Sequence, residues 1–338
     1  MIRESLAKLV RREDLDEAEI AEVVGEIMSG QATEAQMGAF LAALASKGET
    51  FAELAGAARA MRRKALRVNV TNPVVVDTCG TGGDGAGTFN ISTTAAFVVA
   101  GCGVTVAKHG NRSVSSQCGS ADVLETLGVK IDLAPEVVEQ GINEIGIGFL
   151  FAPLYHGALR YAANARKEIG VRSIFNMLGP LTNPAGARCQ LLGVFAPQLT
   201  EMFGQALRVL GARRALVVHG QEGLDEVSVC APTRVCELDD GRLRTYDVAP
   251  EQLLGRRADP ADLKGGDPAT NAEITRAVLR GEKGPQRDVV LVNTAAALIA
   301  AGAAAGFEAG IALAAQSIDG GAAQTKLDAL IEFTQENG

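Results

Sequence analysis

The chain changes its hydrophobic rhythm near residue 70. Across residues 2–65, apolar positions recur at helical spacing, as at Met37, Phe40, Leu41 and Leu44, which fall at i, i+3, i+4 and i+7. The helical runs open on capping pairs: Asp16 with Glu19, Thr33 with Gln36, and Thr50 with Glu53. Gly30 and Gly48 punctuate them, and Pro73 marks the change of pattern. Beyond it, short apolar runs at 74–77, 103–107, 147–151, 190–195, 215–219 and 288–292 predict strands, with helices between them. A hairpin is expected over 234–247, turning at Asp239-Asp240-Gly241. Residues 155–185 return to helix and loop without a strand, and 294–315 reads as an alanine-rich helical stretch. The expected fold class is α/β: a small N-terminal helical domain, residues 1–70, plus a larger domain, residues 71–338, with a mostly parallel central sheet flanked by helices.

The first strand runs into the chemistry. Residues 74–93 read VVVDTCGTGGDGAGTFNIST, an apolar strand, then glycines at 80, 82, 83, 85 and 87, then Asn90, Ser92 and Thr93 at a helix mouth. Glycines leave backbone N–H groups unscreened, so successive ones can converge on a shared concavity. The helix dipole and the added side-chain donors favour an anion at the same place. The bland alternative is a flexible loop before a capped helix, and phosphate binding is the better reading.

Gly80 to Gly85 also satisfies GxGxxG, the dinucleotide fingerprint, which requires a carboxylate near the end of the second strand. That strand instead ends in Lys108-His109-Gly110-Asn111-Arg112, which suits more phosphate oxygens. An NADP-dependent oxidoreductase survives as the runner-up, with Arg112 meeting a 2′-phosphate. Ser113, Ser115, Ser116 and Ser120 follow, more hydroxyls than one helix cap requires, and point to a second phosphate or ribose site.

These segments, with Asn176-Met177-Leu178-Gly179-Pro180-Leu181-Thr182-Asn183-Pro184 and His219-Gly220-Gln221-Glu222-Gly223-Leu224-Asp225-Glu226, resemble the anthranilate phosphoribosyltransferases, within the nucleoside phosphorylase and glycosyltransferase family 3-like phosphoribosyltransferases. The resemblance spans nearly the whole chain. One departure is Gln117-Cys118, where the family often has a lysine and a small residue. The resemblance implies transfer of the phosphoribosyl group from 5-phosphoribosyl 1-diphosphate to the amine of anthranilate, with Mg2+. It implies donor contacts from Gly80, Gly83, Asp84, Thr88, Asn90, Ile91, Ser92, Thr93, Lys108, Gly110, Asn111, Arg112, Ser115, Ser116 and Ser120. It places anthranilate against Gly80, His109, Asn111, His156, Arg166, Gly179 and Pro180, and the metal on Ser92, Asp225 and Glu226. It also implies that part of 155–185 joins the helical domain, that the chain forms a homodimer through that domain, and that no residue is an obligatory acid or base, Lys108 giving electrostatic support. Read alone, Asp225-Glu226 would be solvated surface, Arg166 a solvent-facing helix residue, and each histidine ordinary packing. The other readings left open are a pyrimidine-nucleoside-phosphorylase-like enzyme and a non-catalytic nucleic-acid-binding relative.

Composition narrows the choice. The 338 residues suffice for two domains with ample core. With 32 basic against 40 acidic residues and 4% aromatics, the chain lacks the basic, stacking surface of a nucleic-acid binder. Arg62-Arg63-Lys64, the densest basic cluster, reads as the end of a helix, where cations favour the dipole. No stretch reads as a membrane span and the N-terminus shows no secretory apolar core. Six cysteines without a CxxC pair read as buried or reduced thiols of a cytoplasmic protein.

Overall fold

A computed structural model describes residues 1–113 and 117–338. Four helices open the chain: α1 (Ile2–Val10), α2 (Glu17–Met28), α3 (Glu34–Lys47) and α4 (Phe51–Lys64). In α2, α3 and α4 the side chains of Asp16, Thr33 and Thr50 accept from the helix backbone, and Glu19, Gln36 and Glu53 accept in return from the cap N–H. The stripe Met37, Phe40, Leu41 and Leu44 is buried within the chain's own core.

Strand and helix then alternate: β1 (Val75–Gly80), α5 (Ile91–Gly101), β2 (Thr105–Gly110), α6 (Ser120–Leu127), α7 (Pro135–Ile145) and β3 (Ile147–Phe151). The chain next turns back to the first helices through α8 (Ala152–Tyr155), α9 (Arg160–Ile169) and α10 (Phe175–Leu178). There α9 packs on α2 and α3, and α10 on α4. It re-enters the sheet with β4 (Cys189–Gly193), α11 (Leu199–Val209), β5 (Arg214–Gly220), β6 (Thr233–Asp239) and β7 (Arg242–Val248). The last helices are α12 (Pro250–Leu254), α13 (Pro268–Leu279), α14 (Pro285–Ala301), α15 (Phe307–Asp319) and α16 (Ala322–Glu336).

The seven strands lie in the order β3-β2-β1-β4-β5-β6-β7. The first five pair in parallel, and β6 and β7 add the expected antiparallel hairpin. Its turn has Asp240 at φ 43° and Gly241 at φ 86°, the left-handed pair that matches strand twist. Successive strand residues feed two cores. Leu216 and Val218 of β5 face the cluster with α5, α14 and α16, while Ala215 and Val217 face the cluster shared with α11 and the first four helices. One hydrophobic core thus runs from the helical bundle onto the back of the sheet.

One expectation needs correction, and one that holds gains detail. Residues 288–292 are not a strand but part of α14. Val289, Val290, Leu291 and Val292 are all buried, and a helix enclosed on every side gives the same unbroken apolar run as a parallel strand. The stretch 294–315 is two helices, because Gly302, at φ 73°, ends α14 before α15 begins.

Candidate active site

β1 lies between β2 and β4, so the chain reverses its direction of sheet growth at the β1–β4 boundary, where an open α/β sheet leaves a crevice at its carboxyl ends. Gly80 and Gly193 are paired there. A Cβ on Gly193 would overlap the backbone carbonyl of Asp225, and one on Gly80 would stand 2.6 Å from Asp225 Oδ2. These two glycines admit the 224–226 loop to the crevice floor.

The glycine loop starts from that floor. Thr81 N–H donates to Gly193 O (2.9 Å), its hydroxyl accepts from Phe195 N (3.2 Å), and Gly82 N–H donates to Asp225 Oδ2 (2.8 Å). Gly82, Gly83, Gly85 and Gly87 all take positive φ, between 64° and 73°. Among the described residues, the N–H groups of Gly83, Asp84, Gly85 and Gly87 have no protein acceptor. Across the loop stands a segment distant in sequence. Gly265 N–H donates to Gly87 O (3.0 Å), Phe89 N–H to Leu263 O (3.2 Å), and Lys264 Nζ to Ala86 O (2.8 Å). A cavity of about 440 Å³ lies over the loop, walled by Gln117, Cys118, Arg172, Lys264 and Asn271.

At the mouth of α5 the predicted residues separate by role. Asn90 is the N-cap, but its carboxamide does not cap the helix. Its Nδ2 donates to Cys118 O (3.3 Å) and its Oδ1 accepts from Asn271 Nδ2 (3.0 Å), tying the start of α5 to the segment before α6 and to the first turn of α13. Ile91 is buried in the core with its N–H donating to Phe89 O (2.8 Å), and Thr93 is buried as well. Thr88 bridges to Lys264 on the loop's far side. Ser92 N–H donates to Glu226 Oε1 (3.1 Å), and its hydroxyl accepts from Lys108 Nζ (3.3 Å). Lys108 is buried and also bonds Thr78 O, so its charge sits beneath the helix mouth.

Asp225 and Glu226 are not the solvated pair their adjacency alone would suggest. Glu226 is buried and Asp225 half-buried. Both carboxyls are pushed up by burial, and then by neighbouring negative charge: Asp84 acting on Asp225, and Asp225 on Glu226. Asp84 completes the group, accepting weakly from Asp225 N–H (3.4 Å). Among the described residues no three His, Cys, Asp or Glu side chains are set to hold a metal on their own. Crowded carboxylate oxygens that only Lys108 partly offsets fit a hard divalent cation that takes one or two carboxylates and finds its other ligands on phosphate.

At the end of β2, Arg112 turns to α6, pairing with Asp122 (3.0 Å) and with both oxygens of Glu125. Ser120 Oγ donates to Asn111 O (3.2 Å), and Gly110 lies against Ser120. Ser115 and Ser116 lie outside the described residues.

A second group gathers beside the first. His109 Nδ1 lies 3.1 Å from Gly179 O, and the rings of His109 and His156 meet edge to face, 5.1 Å apart. Burial lowers their pKa values to about 3 and about 4, the neighbouring His156 also disfavouring charge on His109, so both are neutral. Among the described residues His109 Nε2 and both His156 nitrogens lack a hydrogen-bond partner. Pro180 O accepts from Gln190 Nε2 (2.8 Å). Arg166, on α9, is half-buried over the Phe175 ring (5.4 Å) with no carboxylate partner among the described residues. The two groups share a buried joint at Asp77. Its carboxylate accepts from His109 N–H (3.1 Å) and from Asn183 Nδ2 (2.8 Å), fixing β2 against the turn that follows Gly179 and Pro180.

Four of these residues escape sequence reading. Asp77 hides in an apolar strand, and Arg172 follows a helix with nothing to mark it. Lys264 precedes a glycine pair and Asn271 sits in the first turn of the helix that follows, a signal that in isolation reads only as a loop and cap.

Residues 72–324 match the family described as "Glycosyl transferase family, a/b domain", and residues 3–65 its "helical bundle domain". The chain is 72% identical to the anthranilate phosphoribosyltransferase of Syntrophobacter fumaroxidans, over all of both chains. It is similar to the crystal structure of the anthranilate phosphoribosyltransferase of Thermus thermophilus, with TM-score 0.93 and 44% identity over 98% of this chain and 99% of the other. The Saccharomyces cerevisiae enzyme in complex with PRPP and Mg superposes with TM-score 0.90 and 28% identity over 99% and 98% of the two chains.

Proposed function

The chain belongs to the anthranilate phosphoribosyltransferase family, and we propose that its two neighbouring groups divide that reaction between donor and acceptor. The enzyme transfers the phosphoribosyl group of 5-phosphoribosyl 1-diphosphate to the amine of anthranilate, giving N-(5-phosphoribosyl)anthranilate and diphosphate in tryptophan biosynthesis. The observation that carries the division is the glycine loop at the β1–β4 crevice, whose four unspent N–H groups face no protein acceptor among the described residues. They bind the donor's phosphates together with the mouth of α5. Asp225, Glu226 and Ser92 hold magnesium, which when bound supplies charge neutralisation for the departing diphosphate.

A bond forms between the amine nitrogen and the ribose carbon as the bond from that carbon to diphosphate oxygen breaks, and the nitrogen then gives up one proton to the departing diphosphate. An arylamine is neutral at physiological pH, so its lone pair needs no strong base. Neutral His109 and His156 fit that requirement, lining the ring pocket with Gly179 and Pro180. Arg166 pairs with the acceptor carboxylate, the charge partner that the protein itself does not provide among the described residues. Lys108 adds positive charge beneath the departing group. Closure of the acceptor side over the donor orients the amine and excludes water.

The helical domain comprises residues 1–70 with part of 155–185, a division supported by the packing of α9 and α10 on the first helices. We place the chain in the cytoplasm as a homodimer through that domain. The described residues hold no helix long and apolar enough to cross a membrane, and no disulfide joins the cysteines among them, in keeping with a reducing compartment.

Loss of anthranilate fluorescence on mixing with the donor and magnesium tests the reaction; no loss in any magnesium concentration refutes it. In Asp225→Asn with Glu226→Gln, the same signal should fall at least about a hundredfold while the melting temperature holds or rises. Such a rise is expected because buried like charges are removed. Equal turnover across a magnesium titration would leave these carboxylates without a metal role.

A further inference from the structure

Past the end of α9, Gly170 at φ 61° turns the chain and Arg172 reaches across to the donor loop. Its guanidinium donates to Gly83 O (2.9 Å) and lies over the Phe195 ring, 4.0 Å from the ring centroid. The approach is close enough that a Cβ on Gly83 would stand 2.7 Å from the guanidinium nitrogen. No carboxylate pairs with Arg172 among the described residues. It walls the 440 Å³ cavity together with Lys264, which grips the loop at Ala86 O.

We propose that Arg172 is a donor-site residue, although it stands on the acceptor-bearing segment. Two consequences of its geometry support this. A peptide is planar, so holding the Gly83 carbonyl also fixes the unspent N–H of Asp84. A guanidinium has five N–H donors, and one bond to Gly83 leaves others to meet a diphosphate in the cavity. The phenyl face of Phe195 holds the plane in place, and Phe195 is itself bonded to the loop through Thr81. Arg172 therefore shapes the cradle and adds a cation to it.

This inference rests on the glycine loop being the donor site, and the experiment separates the two. Arg172→Ala should raise the donor KM at least about tenfold with the anthranilate KM within about twofold, the opposite split from Arg166→Ala. Arg172→Lys keeps the charge but loses the fork and the stacking, and should recover part of the loss. Calorimetry with inorganic diphosphate and magnesium should show an affinity loss of similar size in Arg172→Ala and a smaller one in Arg172→Lys. A rise in the anthranilate KM alone, or unchanged diphosphate affinity in either folded variant, overturns the proposal. Failure of the donor-site reading would look different: the unaltered protein itself would bind no diphosphate.

Discussion

In the proposed acceptor pocket, Arg166 and the two buried histidines set charge beside its absence. A half-buried guanidinium stacked near Phe175, with no carboxylate from the described protein, is poised for a planar anion. Arg166→Ala should cost the acceptor about 1.5–3 kcal/mol, read as a rise of roughly ten- to a hundredfold in the anthranilate KM, with the donor KM little changed. Unaltered anthranilate kinetics would end that role. His109 and His156 act by staying neutral. Their folded pKa values, about 3 and about 4, lie below the ordinary value of 6.5, so the unfolded chain binds more protons between these limits. The stability they contribute is present above pH 6.5 and is lost as pH falls from there toward 4. His156→Asn should remove part of that slope, up to about 1.4 kcal/mol per pH unit, in urea titrations. An identical slope in the variant would show that His156 titrates normally.

Between elements, short polar devices decide geometry that apolar burial leaves loose. Glu53 caps α4, yet it is wholly buried and also accepts from Leu15 N–H (2.9 Å) and Lys47 Nζ (3.0 Å), fastening α4 to α3 and to the α1–α2 turn. Glu53→Ala would leave the Leu15 and Thr50 N–H groups without their acceptor, while Lys47 keeps Asp14 (2.6 Å) and Gly48 O (2.7 Å), at a cost of about 2–4 kcal/mol. The denaturation midpoint should fall with an unchanged m-value. A loss under about 1 kcal/mol would mean that the cap alone matters. The three caps and the Asp240-Gly241 turn were legible in the sequence because each is a local hydrogen-bond or φ requirement. The glycine turn of the loop proposed to cradle phosphate was legible for the same reason, since Gly82, Gly83, Gly85 and Gly87 all take positive φ. Asp77, Arg172 and Lys264 were not, because their partners lie far along the chain, at Asn183, Gly83 and Ala86. The strand expected at 288–292 failed because periodicity reports which faces are wet, and α14 has no wet face there. Arg62 is a milder case. Its place in the last turn of α4 was readable, but its bond to Leu181 O (2.7 Å), which ties that turn to the acceptor wall, was not.

For the molecule as a whole, the question is what the helical domain does with its remaining apolar surface. Met37, Phe40, Leu41 and Leu44 cannot serve an interface, since the chain buries all four itself. Among the described residues, the large apolar side chains exposed on this side include Met1, Val10, Phe51, Leu66, Leu154, Tyr161 and Val171, with Val10 the most exposed at 71%. Scattered apolar residues are ordinary on a monomer, so they support the proposed homodimer only if they act together. Every donor and acceptor group described above comes from one chain, so assembly through this side leaves each site whole. Val10→Asp with Tyr161→Asp should therefore shift light scattering from twice the chain mass to the chain mass at micromolar concentration. Turnover per chain should stay within about twofold, because neither residue touches the crevice. Scattering at the chain mass for the unaltered protein, with full activity, would refute the dimer and leave the chemistry as it stands.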